Sequence, residues 1–367
     1  MAEIKSVTSH PRLDEAIGML RDVISIPSFS GEEKDVADLW QCWLAQNCHG
    51  TLRRLHNNLF VTCASFRPGR PLLMLNSHID TVRPAASWTR DPFSPDRQPD
   101  RLYGLGSNDA GASGVALALT FAALSERDDL PVNLLLALTA NEERMGEDGM
   151  RAFLPHLRRL GLYLDMAIVG EPTGMRPAVA ERGLVVLDAV TEGKSGHAAR
   201  DEGINAIYRA IDDIEAIRRF SPERVSQTLG PIKTSVTMIG AGTQHNVVPD
   251  RCSYVVDVRT TDAYTNEQTV EMLRKAVKWS TLTPRSTRIR ASVIDPGHPL
   301  ALSATAECGS PFVSPTTSDM ALMPDIPSLK IGPGESARSH SADEFIKFSE
   351  INAALFAYPA IIKGIKS

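Results

Sequence analysis

Three stretches of this chain, "PLLMLNSHID" ending at Asp80, "VNLLLALTANEE" ending at Glu143 and "MAIVGEPT" ending at Thr173, run apolar at successive positions and then turn abruptly polar. An amphipathic helix would interrupt such runs every turn, and a half-buried strand would alternate. A continuously apolar short run is a strand covered on both faces, which is the state of a strand inside a parallel sheet. Helical segments separate the runs, so the pattern is α/β with a mainly parallel central sheet. In open α/β sheets, ligand sites are built at the carboxyl ends of the strands. His78, Asp80, Glu142, Glu143 and Glu171 leave their strands at that one edge.

Ahead of the sheet, "RLDEAIGMLRDVISI" has helical spacing of Ile17, Leu20, Val23 and Ile24 and stops at Pro27. "SGEEKDVADLWQCWLAQ" opens with a Ser30-x-x-Glu33 capping box. "RLYGLGSNDAGASGVALALTFAAL" reads as a Gly-rich turn entering a small-residue helix. Its Gly104-x-Gly106 pair is followed next by Gly111, which is the wrong spacing for a dinucleotide fingerprint. Past Pro177 the texture changes. "GLVVLDAVTEG", "KTSVTMIGAG", "CSYVVDVRTT" and "STRIRASVID" read as strands, and "GINAIYRAIDDIEAIRRF" and "TNEQTVEMLRKAVKWS" as helices, the second capped by Thr265-x-x-Gln268. That is a β-α-β-β-α-β module with its own core. It predicts an inserted domain over 178–296 in a catalytic domain made of 1–177 and 297–367.

A net charge of −5 and scattered arginine pairs give no electrostatic footprint for nucleic acid. No apolar run approaches bilayer length and the amino terminus has no signal-peptide core, so a cytoplasmic protein with no membrane partner is expected. Five cysteines without a C-x-x-C pair suggest neither a disulfide framework nor a thiolate zinc site.

His78, Asp109, Glu143, Glu171 and His340 have the hard or borderline donor character that divalent ions choose, and together they suit two ions. Asp109, between the Gly-rich turn and its helix, suits a bridging carboxylate. Asp80 stands where it can accept the second imidazole N–H of His78 and fix the ligating tautomer. Adjacent Glu142 and Glu143 point differently from a strand end, so that one can bind metal while the other stays free as a general base.

"SHIDTV", "GLGSNDAGASG", "ANEE", "VGEPT", "KSGHAA", "HNVVPD" and "GPGESARSHSADEF" resemble, in order and over nearly the whole chain, the acetylornithine deacetylase and succinyl-diaminopimelate desuccinylase family of two-metal amidohydrolases. The resemblance implies a zinc-peptidase-like catalytic domain with an inserted lid and dimerisation domain. It implies His78 and Glu171 on one zinc, Glu143 and His340 on the other, with Asp109 bridging and Glu142 as base and proton shuttle; cobalt and manganese are alternative ions. It further implies His197 as an oxyanion donor in a homodimer, and Arg182, Asn246 and Arg259 near the substrate carboxylate. Where much of the family has lysine and glycine after the bridging aspartate, this chain has Ala110 and Gly111. "SNDAGAS", "TTSDMALMP" and "GPGESARSH" are most similar to the N-acetylornithine and N-succinylornithine deacylases of arginine synthesis. The implied substrate is therefore a small N2-acyl-L-ornithine. Acylated citrulline, lysine or diaminopimelate, a dipeptide, and a catalytically inactive ligand-binding homologue are the other readings. The last would be expected to lack the base or a ligand, and here all are present.

Overall fold

The computed structural model describes residues 8–200 and 202–366, and the chain forms two compact units. The first extends to Val179 and resumes over Ile294–Phe312 and from Ser318 onward; the second comprises Ala180–Val293 and Val313–Thr317.

In the first unit, β1 (Gly50–Leu55), β2 (Asn58–Cys63), β3 (Leu72–His78), β4 (Asn133–Thr139), β5 (Met166–Val169) and β6 (Ser328–Lys330) lie in the order β1-β2-β4-β3-β5-β6. The four central strands β4, β3, β5 and β6 are parallel, and the β1–β2 hairpin adds antiparallel to β4. The apolar runs alternate between two cores, as strands with both faces covered must. Leu73, Leu75, Leu134, Leu136, Leu138 and Ile168 pack with residues of α1 (Leu13–Ile24), α2 (Lys34–Asn47), α3 (Ala112–Leu124) and α4 (Phe348–Gly364). Leu72, Met74, Leu135, Ala137 and Val169 pack with Met150, Phe153, Leu157 and Met320. Each such leucine contributes about 1.5–3 kcal/mol by leaving water, enough in aggregate to fix the register of the strand ends. β3 closes on His78 itself, β4 ends just before the Asn141–Glu142–Glu143 turn, and β5 ends just before Glu171.

The second unit has a four-stranded antiparallel sheet in the order Lys233–Ala241, Arg251–Thr260, Gly183–Glu192, Ser280–Pro284. Its core joins Val185, Leu187, Tyr254, Val256 and Val258 to Ala210 and Ile217 of the helix Ala206–Arg218, and to Val270 and Leu273 of the helix Asn266–Ala276. Along Gly183–Glu192 buried and half-buried residues alternate, the signature of a sheet with one covered face.

Two expectations fail locally. The final strand of this sheet is Ser280–Pro284; within 286–295, Ser292–Val293 pairs with Ala180 and Glu181, and Ile289 makes a single bridge to Leu184. Pro284 reads as a strand breaker in sequence, but at a strand terminus its missing N–H costs no ladder bond. The Ser30–Glu33 capping box is also absent. α2 starts at Lys34 without a side-chain cap, because Ser30 Oγ donates to Asp80 at 2.7 Å and Glu33 accepts from the backbone N–H groups of Gly31 and Asn141. The Thr265–Gln268 box does form, with both reciprocal bonds. No helix among the described residues is long and apolar enough to cross a membrane.

Candidate metal centre

His78, at the end of β3, is 3 % exposed, and its ring orientation is fixed locally. Nδ1 donates to the Asp80 backbone carbonyl at 2.8 Å, while the Asp80 carboxylate stands 3.6 Å from Nδ1 and contributes charge more than a hydrogen bond. The residue expected to orient His78 is thus in place, but its backbone oxygen does the orienting. Its carboxylate has other work: Oδ1 accepts from Glu142 N at 3.0 Å, and Oδ2 from Glu143 N at 3.2 Å and from Ser30 Oγ. The turn bearing both glutamates is therefore built on Asp80.

Nε2 of His78 faces Asp109 Oδ1 at 3.3 Å and Glu171 Oε1 at 3.7 Å. On the other side, Asp109 Oδ2 is 3.6 Å from His340 Nε2, which is itself 3.0 Å from Glu143 Oε2. Asp109 thus turns one oxygen toward each imidazole. His78, Asp109 and Glu143 each bring one ligand atom within 4.8 Å of the others.

The loop carrying Asp109 is held by a residue to which the sequence reading gave no role. Glu344, 2 % exposed, accepts at Oε1 from Asn108 N (2.7 Å) and Asp109 N (2.9 Å) and at Oε2 from Gly106 N (3.1 Å). Asn108 in turn bonds Glu335 through both its amide groups. Glu33, also missed, anchors the other turn at Asn141 N. Glu344 lies within the "GPGESARSHSADEF" stretch, shortly after His340, but nothing in that stretch marks what its carboxylate holds.

The electrostatics fit cations. Five carboxylates (Asp80, Asp109, Glu142, Glu143 and Glu171) crowd two imidazoles, an excess of buried negative charge that protons or metal ions must relieve. Burial, with the charges of Asp109 and Glu143 adding to it, pushes Glu171 up to about 8. Burial likewise raises Glu142 well above the usual carboxylate range, helped by Glu171, Asp319 and Glu143. The hydrogen bond to Glu143 raises His340 to about 9. His78 is raised too: burial opposes its charge, but Asp109 and Asp80 outweigh it. Oxygen and imidazole donors with Asp109 between two clusters suit two divalent ions, His78 and Glu171 on one side and Glu143 and His340 on the other.

The remaining predicted residues lie in the second unit. His197 is exposed on a two-stranded ribbon, paired with Val247, which puts it beside Asn246; the Asn246 carbonyl accepts from Ala198 N. His197 Nδ1 accepts from Ala199 N at 3.1 Å, leaving its proton on Nε2. Arg182 donates to the carbonyls of Leu229 and Pro231, and Arg259 makes a two-point ion pair with Asp257.

Residues 74–363 match the family model described as peptidase family M20/M25/M40. A succinyl-diaminopimelate desuccinylase of Paracoccus denitrificans is 32 % identical over 62 % of this chain, the match spanning 62 % of that relative's length. One of Ruegeria is 26 % identical over 73 % of this chain and 71 % of its own length. Among solved structures, a tripeptidase from Staphylococcus aureus superposes with a TM-score of 0.73 at 20 % identity, covering 96 % of this chain and 98 % of that one. A dinuclear metal-binding peptidase from Bacillus subtilis gives 0.72 at 17 %, covering 95 % and 98 %.

The raised groups set the sign of a pH effect. Cations held by these residues would require Glu171 ionised and the Nε2 atoms of His78 and His340 unprotonated, whereas without cations Glu171 at about 8 and His340 at about 9 hold protons at pH 7 and His78 is shifted in the same direction. Binding should therefore release protons at pH 7, and affinity should rise from pH 6 to 9 as fewer remain to be displaced. Calorimetric titration of zinc in two buffers of different ionisation enthalpy counts those protons; affinity and proton count both flat across this range would refute the scheme.

Proposed function

The chain belongs to peptidase family M20/M25/M40, and we propose that it is a two-metal amidohydrolase of the deacylase kind, removing the acyl group from an N2-acyl-L-ornithine. The observation that carries the metal chemistry is Asp109, with one carboxylate oxygen toward His78 and the other toward His340. Divalent ions there would supply Lewis-acid activation of water and of the scissile carbonyl. Zinc is the ion we favour, with cobalt and manganese sharing its taste for these donors.

Glu142 is the group left for proton transfer. It is 7 % exposed and held at its backbone N–H by Asp80, and burial raises its pKa above the usual carboxylate range, the direction a general base requires. It takes the proton of the attacking water and returns it to the departing amine nitrogen. His197 is the donor we assign to the developing oxyanion, its Nε2–H available because Nδ1 is already an acceptor.

The substrate rests on the resemblance of "SNDAGAS", "TTSDMALMP" and "GPGESARSH" to ornithine deacylases, with Arg182 and Arg259 suited to an α-carboxylate. A second reading, N-succinyl-diaminopimelate, is favoured by the names of the relatives. The two substrates share an acyl amide beside a carboxylate and a distant amine.

A homodimer through the second unit is part of this reading. Lys233–Ala241 is an edge strand with Met238 65 % and Ile239 59 % exposed, and the helix Ala206–Arg218 exposes Tyr208 and Ile211. Apolar side chains along an open edge suit a second copy of the same surface.

Amine release from N-acetyl and N-succinyl derivatives of ornithine, citrulline, lysine and diaminopimelate, with N-acetyl-methionine and a dipeptide as controls, tests the substrate. Preference for an acylated ornithine is expected. Preference for the diaminopimelate derivative selects the second reading, and preference for N-acetyl-methionine or the dipeptide discards both. Glu142→Gln should keep both ions and lose about 10²- to 10⁴-fold in kcat; full turnover would remove Glu142 from the mechanism.

The dimer makes a sharper demand. If His197 serves the partner's centre, Glu142→Ala and His197→Ala homodimers are both inactive, yet a mixed dimer has one intact site. Random mixing makes about half the dimers mixed, so roughly a quarter of wild-type activity should return. Confirmed mixed dimers without recovery would refute service in trans.

A further inference from the structure

We propose that Glu344 is a positioning residue of the metal centre, fixing Asp109, and with it the spacing between the two ions, by holding backbone N–H groups without touching ion or substrate. The inference rests on the two-metal reading above.

Two segments far apart in sequence, 104–109 and 335–344, interlock at this point. One delivers Asp109, the bridging carboxylate of that reading, and the other His340, which faces its Oδ2. Glu344 O accepts from Gly104 N, its carboxylate takes the N–H groups of Gly106, Asn108 and Asp109, and Asn108 pairs with both polar backbone groups of Glu335. Glu335 follows Gly334, whose φ of +87° and 2.3 Å approach of an added Cβ to Asn108 Oδ1 exclude a side chain there. The lock is therefore specific in shape as well as in polarity.

A carboxylate suits this place for a definite reason. Three N–H donors converge on two oxygens, and an amide would turn an NH2 group toward one of them. Glu344→Gln should keep the Asn108 and Asp109 bonds and lose the one from Gly106. Glu344→Asp keeps the carboxyl group but, one methylene shorter, cannot reach all three donors.

The readout is the affinity of the protein for cobalt and zinc, by competition with a chelator, and the visible spectrum of the cobalt form. In both variants affinity should fall about 10- to 100-fold and the cobalt bands should shift, while the melting of the cation-free protein changes little. Hydrogen exchange should rise in the peptide covering 104–109. Wild-type affinity and spectrum in a folded variant would overturn the proposal. So would failure of both variants to fold, which would make Glu344 a folding residue. Fewer than two ions bound by the wild type would instead strike the two-metal reading on which it rests.

Discussion

The structure turns on a concentration of negative charge that the chain buries on purpose. Asp80, Asp109, Glu142, Glu143 and Glu171 meet His78 and His340 at one end of a parallel sheet, with Asp80 1 % and Glu142 7 % exposed. Like charges this close, out of water, repel by several kcal/mol unless compensated. Two means of compensation are visible. Within the cluster, Glu142, Glu171, His78 and His340 shift toward their protonated forms. Around it, buried carboxyl groups are tied to backbone N–H groups, which supply no competing cation: they help hold Asp80 below the usual carboxylate range, while at Glu344 burial and the Asp109 charge outweigh them and push it up to about 8.

That second means also explains the geometry. Asp80 gathers the N–H groups of Glu142 and Glu143, Glu33 that of Asn141, and Glu344 those of Gly106, Asn108 and Asp109. In each case a buried acid shapes a turn that carries one of the residues facing the two imidazoles, Asp109 or Glu143. Asn141 and His340 adopt φ of +60° and +57°, a region costly to non-glycine residues, and they persist there because neighbouring bonds over-determine both turns. Electrostatic compensation and ligand placement are thus one set of hydrogen bonds.

The sheet and the gathering of acids and imidazoles at its end could be read from sequence because both leave strong local marks. A run such as Leu134–Leu138 admits few environments, and a histidine or glutamate at its exit is conspicuous. The supporting carboxylates leave no such mark. Ser30 and Glu33 match a capping box in spacing, and nothing in sequence says that a buried aspartate and a distant turn will claim them instead. A box survives at Thr265, where no buried site competes for its side chains. Glu344 is invisible for the same reason: its partners are backbone groups more than 230 residues away, and any residue type could have supplied them. Asp80 was legible as a residue and illegible as an atom, since its carbonyl and carboxylate serve different turns.

The arginines raise the question whether guanidinium groups already paired can still serve a substrate. Arg182 uses Nη1 and Nη2 on two carbonyls, and Arg259 uses Nε and Nη2 on Asp257. Each guanidinium has five N–H donors in a fixed plane, so about three remain on each after these bonds. The bonds already made restrict the long side chain, and the entropy of ordering it is therefore spent before any ligand arrives. For Arg182, whose partners are neutral carbonyls, the positive charge is uncompensated by its hydrogen bonds. For Arg259, the Asp257 carboxylate neutralises much of it. Under the proposed reading, Arg182 is therefore the stronger electrostatic partner for a substrate carboxylate and Arg259 the weaker.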